Sequence, residues 1–176
     1  MIYTSEVIEK NALFEVAKLM AAAARTAPKT KGIDNIMTMI IDGAEKEKLA
    51  GEMDRLADNE KYPSFSRDAL NVRNSDYVVL VAVRDNPCAV PYCGICGHDD
   101  CEAASAADAP CALNISDLGT AVCSACVVAS NHFVDNRLMY TVGRAAMFVG
   151  LFDTKIRLCY GIPISAKGKN IYYDRK

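Results

Sequence analysis

Between Ser5 and about Ala24, apolar residues at Ile8, Ala12, Val16, Leu19 and Ala23 recur at spacings of three and four with charges between them, which predicts an amphipathic helix. Pro28 and Gly32 break that period. Ile33 to Ile41, bounded by Gly32 and Gly43, is expected to be a strand, and helical spacing returns from Ala44 to Leu56 through Leu49, Met53 and Leu56. A further helix is expected over Ser64 to Val72, capped by Ser64 or Ser66. The unbroken apolar run Tyr77 to Val83 fits a strand buried on both faces. Past a cysteine-rich stretch, Asn114 followed by Asp117 predicts a helix start, with the helix running to about Ser130. Its residues Gly119, Ala121, Ser124, Ala125, Ala129 and Ser130 are small enough for close backbone packing. Asp135 is expected to cap another helix through Phe148, stopped by Gly150, and Lys155 to Ile164 reads as a last strand before a polar tail. The alternation predicts an α/β (α+β) fold, residues 1–176 as one domain, with a mixed sheet flanked by helices and a cysteine-rich loop at about 87–112.

A chain of 176 residues buries a sufficient core without metal or disulfides, so a metal site here would serve function before stability. With 20 basic residues against 22 acidic ones the formal charge is −2, and nucleic acid is not an expected partner. The apolar stretches Tyr77 to Val83 and Ala121 to Ala129 fall short of the roughly 20 residues a membrane-spanning helix needs. Glu6, Glu9, Lys10, Glu15 and Lys18 interrupt the first twenty residues, unlike a signal peptide. The expectation is a cytoplasmic protein, and in that reducing compartment eight cysteines read as metal-binding or redox-active.

The segment Cys93-Gly94-Ile95-Cys96-Gly97-His98-Asp99-Asp100-Cys101, with Cys111, has the spacing C-x₂-C-x₄-C-x₉-C. Four soft anionic ligands converging in one loop suit a 4Fe–4S-type cluster. Gly94 and Gly97 let the backbone curl and aim N–H groups at sulfur, while Pro87, Pro91 and Pro110 fix the loop's ends. The competing assignment is zinc: Cys123 and Cys126 form a second C-x₂-C that could join Cys93 and Cys96 in a tetrahedral site, making the chain a zinc-stapled, non-enzymatic interaction module. That pair falls inside a predicted helix, where packing between helices is the simpler role for two small apolar residues. Cys159 is expected in the core, Cys88 is a fifth cysteine near the ligands, His98 sits beside the ligands rather than among them, and His132 stabilises a helix end.

Further motifs are Ala24-Arg25-Thr26-Ala27-Pro28-Lys29 with Gly32-Ile33-Asp34-Asn35, Val134 to Tyr140, Gly161 to Asn170, and Asp174-Arg175. With the cysteine loop, these make the chain resemble, over most of its length, a family of small prokaryotic proteins known mainly as ferredoxin-domain proteins of unknown function. That resemblance implies a 4Fe–4S-type loop and names no substrate. The chain is also similar, more weakly, to the nitroreductase class of flavoproteins, in which an N-terminal helix ends in an Arg-Ser-x-x-Arg-like run that grips the FMN phosphate. Arg25, Thr26 and Lys29 match that run loosely; lysine replaces one arginine, the chain is shorter, and the cluster loop is an insertion. This similarity implies a nitroreductase-like fold, a homodimer burying the small-residue helix and the 135–150 helix, and an FMN whose phosphate meets Arg25, Thr26, Lys29, Lys167 and Lys169. The expected function is a redox protein that exchanges electrons with a partner, a small-molecule substrate or the flavin. If it is an enzyme, it is a flavin-dependent oxidoreductase.

Overall fold

The computed structural model describes residues 1–60, 62–152 and 155–173, without the side chains of Asn59 and Glu60. Asp174 and Arg175 of the last sequence motif lie outside the described residues. The elements follow in the order α1 (Ser5–Thr26), a 3₁₀ turn (Thr30–Gly32), β1 (Ile36–Ile41), α2 (Gly43–Glu60), α3 (Pro63–Asn74), β2 (Tyr77–Arg84), α4 (Cys101–Ala106), α5 (Ala112–Asn131), β3 (Asp135–Asn136), α6 (Tyr140–Val149) and β4 (Ile156–Ser165).

The central strand β2 organises the rest. Its side chains alternate between two cores because successive residues of a strand point to opposite faces. Tyr77, Val79, Val81 and Val83 pack with Leu13, Ala17 and Met20 of α1 and with Leu118, Ala121, Ala125 and Ala129 of α5. Val78, Leu80 and Ala82 pack with Leu49 and Met53 of α2, Ala69 and Val72 of α3, and Val142, Ala145 and Ala146 of α6. The result is a four-stranded sheet of order β1-β2-β4-β3 between two helical layers.

The helix-flanked α/β class is as expected, but among the described residues every strand pairing is antiparallel, where a mixed sheet was expected. The reason lies in the connections. One helix between two strands carries the chain back across the sheet and gives parallel strands; α2 and α3 form a pair that returns the chain to the end it left, so β2 runs against β1.

Three local expectations are corrected. Pro63, not Ser64 or Ser66, opens α3, since its missing N–H costs nothing at a first helical turn. Asp135 does not cap a helix but pairs with Ser165 in β3, and α6 begins only at Tyr140. Gly150 ends α6 as expected, in a left-handed conformation. The helix α5 starts at Cys111 as its N-cap, and Asn114 is buried inside its first turn. At 20 residues and a mean hydropathy of 1.5, α5 is long and apolar enough by composition to cross a membrane, a length the sequence reading had not foreseen. In the fold its apolar face lies against α1 and the sheet.

Candidate metal centre

After Arg84 the chain leaves the sheet, and the cysteine loop is built from tight turns. Gly94 and Gly97 have φ of +58° and +86°, the left-handed region that a residue without Cβ enters freely, and the Gly97 N–H donates to the Gly94 carbonyl at 3.0 Å. Asp100 Oδ1 accepts the Ala103 N–H at 2.8 Å, so Cys101 opens α4, a helix the sequence reading missed although Asp100 before an alanine-rich run was its signal. Cys111 stands at the N-terminus of α5, where backbone N–H groups have no partner within the helix. Burial alone would raise the Cys111 pKa, but the N–H groups of Cys88, Asn114 and Leu113 and the Cys88 thiol outweigh it, and the thiol is driven toward thiolate.

Cys93, Cys96, Cys101 and Cys111 all line one cavity of about 390 Å³, with His98, Asp99, Asp100 and Glu102 around it. Each of the four is half-buried. Among the described residues no three His, Cys, Asp or Glu side chains come close enough to share one metal ion. Four thiols around one cavity are a donor set that suits either a single tetrahedral zinc or a thiolate-held iron–sulfur core. The alternative pairing with Cys123 and Cys126 is not brought together. Cys123 is twelve residues beyond Cys111, about 18 Å along the helix axis. Cys126 is half-buried on α5, its thiol pushed up to about 11, by burial and then by Cys123. Cys159 is buried in β4, as expected, and Cys88 is 1 % exposed with its thiol pushed up to about 12, first by burial and then by Cys111.

Three brackets hold the loop against the end of the sheet. Lys31, in the 3₁₀ turn, donates to the Ala89 carbonyl at 3.2 Å, and that turn is itself pinned to α5 by Thr30, whose N–H and hydroxyl both donate to the Asp117 carboxylate at 2.9 and 3.0 Å. Asp85 and Asp108 share Lys155 and Arg157 at 2.7–3.2 Å, which ties the segment before Cys111 to β4. Behind Cys111, Asn35, Asn86 and Asn114 form a knot of side-chain amides. None of these brackets was read from the sequence, because each joins residues far apart in the chain.

The residues expected to hold a phosphate do not converge within one chain. Arg25 pairs with Asp34 at 2.5 Å, and Thr26 donates back to the Ala22 carbonyl at 3.1 Å. Lys29 donates to the Arg25 and Ala27 carbonyls and so covers the C-terminal end of α1. Lys167 does the same for α3 through the Asn74 carbonyl at 2.6 Å. Arg25 and Lys29 lie where β1 begins, opposite Val83, whereas Lys167 and Lys169 follow β4 beyond Ile164, opposite Tyr77. Six residues of strand, about 20 Å, separate those ends. At the second end Asn170 donates to Asp135 at 2.8 Å and Arg137 to the Tyr172 carbonyl at 3.2 Å, so two of the sequence motifs interlock structurally.

A second cavity, of about 500 Å³, opens on the other helical layer between α2, α3 and α6. Tyr62, Phe65, Tyr140 and Phe148 line it, with Arg144 stacked 4.7 Å from the Phe148 ring. The sequence signal for it was the pair Arg144 and Phe148, one helical turn apart.

Residues 107–175 match the family described as "Uncharacterized protein containing a ferredoxin domain (DUF2148)". An uncharacterized protein of Archaeoglobus fulgidus is 37 % identical over 167 residues, covering 90 % of this chain and 89 % of that protein. Among solved structures, a nitroreductase with bound FMN from Desulfitobacterium hafniense superposes with a TM-score of 0.59 at 12 % identity, covering 96 % of this chain and 81 % of that one. NfrA2 of B. megaterium superposes with a TM-score of 0.57 at 12 % identity, covering 89 % of this chain; the chain spans only 58 % of that protein's length. At such identities the likeness is one of fold.

Proposed function

The chain belongs to the family of proteins containing a ferredoxin domain, and from that premise we propose that it is a redox protein holding a 4Fe–4S-type cluster on Cys93, Cys96, Cys101 and Cys111. When bound, such a cluster supplies one-electron transfer. The protein's own part is to hold four thiolates in one loop, to turn backbone N–H groups toward Cys111, and to wall the site from the sheet side. The observation that carries this reading is the placement of four thiols, at the spacing C-x₂-C-x₄-C-x₉-C, around one cavity. A redox partner or a small-molecule substrate would complete the electron path, and clustered thiols of this kind belong in a reducing, cytoplasmic compartment.

Anaerobic purification with iron, sulfide, zinc and flavin quantified tests the reading. A brown, oxygen-sensitive protein containing about four irons and four sulfides per chain is expected. Colourless protein with stoichiometric zinc would instead make the chain a zinc-stapled interaction module.

FMN is the second part of the reading, and makes a flavin-dependent oxidoreductase of the chain. It is supported by the fold shared with FMN-containing structures and by the aromatic cavity, whose four rings and Arg144 suit a planar, electron-poor ring system. The phosphate grip on Arg25, Thr26 and Lys29 together with Lys167 and Lys169 does not fit one chain, because Arg25 and Lys29 lie at one end of the strands and Lys167 and Lys169 at the other. A homodimer also belongs to this proposal. Ala121, Ala125 and Ala129 of α5 are already spent on packing inside the chain, so the face open to a second copy is the one carrying Val7, Ile8, Phe14 and Leu19 of α1 and Val127 of α5.

A further inference from the structure

Three large rings stand exposed together around the cavity between α2, α3 and α6. Tyr62, Tyr140 and Phe148 are 52–59 % exposed, and the buried side chains of Leu56, Phe65 and Thr141 complete the lining with Ser64 and Arg144. Single apolar side chains scattered on a surface need no explanation, but a cluster around one concavity of about 500 Å³ has the size and lining of a small-molecule site. Its walls are set without a ligand. The Arg144 guanidinium lies over the Phe148 ring at 4.7 Å, one helical turn along α6, and Tyr140 packs edge-on against Tyr160 with 6.5 Å between centroids. Thr141 donates its hydroxyl to Asp68 Oδ2 at 2.6 Å, while Asp68 Oδ1 accepts from Arg67 at 2.9 Å. That buried carboxylate is occupied by its own partners and does not neutralise Arg144. Among the described residues Arg144 is the one charged group in the lining and has no ion pair or hydrogen bond, and the hydroxyls of Tyr62, Ser64 and Tyr140 have no hydrogen-bond partner.

We propose that this cavity binds a planar aromatic anion, its ring against Tyr62, Phe65, Tyr140 and Phe148 and its acidic group on Arg144. A guanidinium is a flat fork that takes a carboxylate or phosphate through two parallel hydrogen bonds. Resting on the Phe148 ring restricts the Arg144 side chain beforehand, so less freedom is lost when it closes on an anion. The four rings offer a flat ligand both apolar area and edge or face contacts, and the free hydroxyls can serve polar groups at its rim. A cationic ring would meet Arg144 as a like charge. Flavin mononucleotide and a free aromatic acid share the required chemistry. The inference deepens the flavin part of the proposed function, rests on that part only for the first of these two sources, and does not depend on the cluster.

Binding to the full chain, purified anaerobically, is measured by equilibrium dialysis for two matched pairs. FMN and riboflavin share a ring system and differ by the phosphate; benzoate and benzyl alcohol share one ring and differ by charge. In at least one pair the parent should hold the anion about tenfold more tightly than its neutral analogue, the effect of one charge-assisted contact. Arg144 is exposed, so its substitutions spare the fold: Arg144→Gln should erase the preference and Arg144→Lys should restore part of it. Phe148→Ala should weaken both members of the pair. Lys48→Gln, which removes an exposed charge of α2 outside the cavity, should change neither. A preference within the flavin pair identifies FMN as the ligand, and one within the benzoate pair identifies a free aromatic acid, even where no flavin binds. No preference in either pair, or one that survives Arg144→Gln, overturns the inference. FMN held equally by the parent and Arg144→Gln would in that case leave the flavin reading standing without this site.

Discussion

Individual side chains around the loop act mainly through charge and backbone conformation. Asp108 is held down to about 2 by its hydrogen bond to Arg157, then by Lys155, and Asp85 is lowered by the same two cations, Arg157 again first. An acid whose folded pKa is depressed adds stability that is present above its unfolded value of about 3.9 and is lost as the pH falls through the folded value. The pair is largely exposed on the Asp108 side, so the effect is small, but its window is defined. The Tm difference between the parent and Asp108→Asn, present near pH 5, should close as the pH is lowered to about 2. A difference that survives there means that Asp108 contributes by packing and not by charge. Within the chain, Lys29 and Lys167 each meet carbonyls at the C-terminal end of a helix.

At the scale of elements, the close approach of α6 to β4 depends on two glycines. A Cβ on Gly143 would fall 1.8 Å from the Cys159 carbonyl oxygen, and one on Gly161 would fall 2.1 Å from Val142 Cγ1. Backbone cannot yield as a flexible side chain can, so Gly143→Ala should destabilise the protein by about 3 kcal/mol, the upper end for overpacking. Gly51→Ala is the matched control. Gly51 lies within α2 with nothing near its missing Cβ, and alanine there should add about 0.5–1 kcal/mol of stability. Urea denaturation of both variants checks the pair, and equal effects would mean that the close approach of α6 to β4 is relieved by a shift of the helix. Sequence periodicity had located every helix but α4 and every strand but β3, because these two are too short to show a period.

For the whole molecule, neither hydrophobic core contains any of the four proposed ligands, and the sheet is complete without the loop. Removing metal with a chelator should therefore leave helical circular dichroism and a cooperative thermal transition, with the change in hydrogen exchange confined to about residues 87–112. Global unfolding on chelation would mean that the metal staples the fold, as in small zinc domains. What the sequence determined unaided was local: the period of each long helix, the doubly buried β2, the left-handed glycines of the loop, and a set of four thiols at cluster spacing, all of which depend on residues within a few turns of one another. Tertiary structure alone decided which charges meet, that the strands run antiparallel, that Cys123 and Cys126 stay far from the loop, and that Asn35, Asn86 and Asn114 close behind Cys111. Those outcomes depend on which ends of the sheet each connection reaches, and a linear pattern of apolar and polar residues does not carry that information.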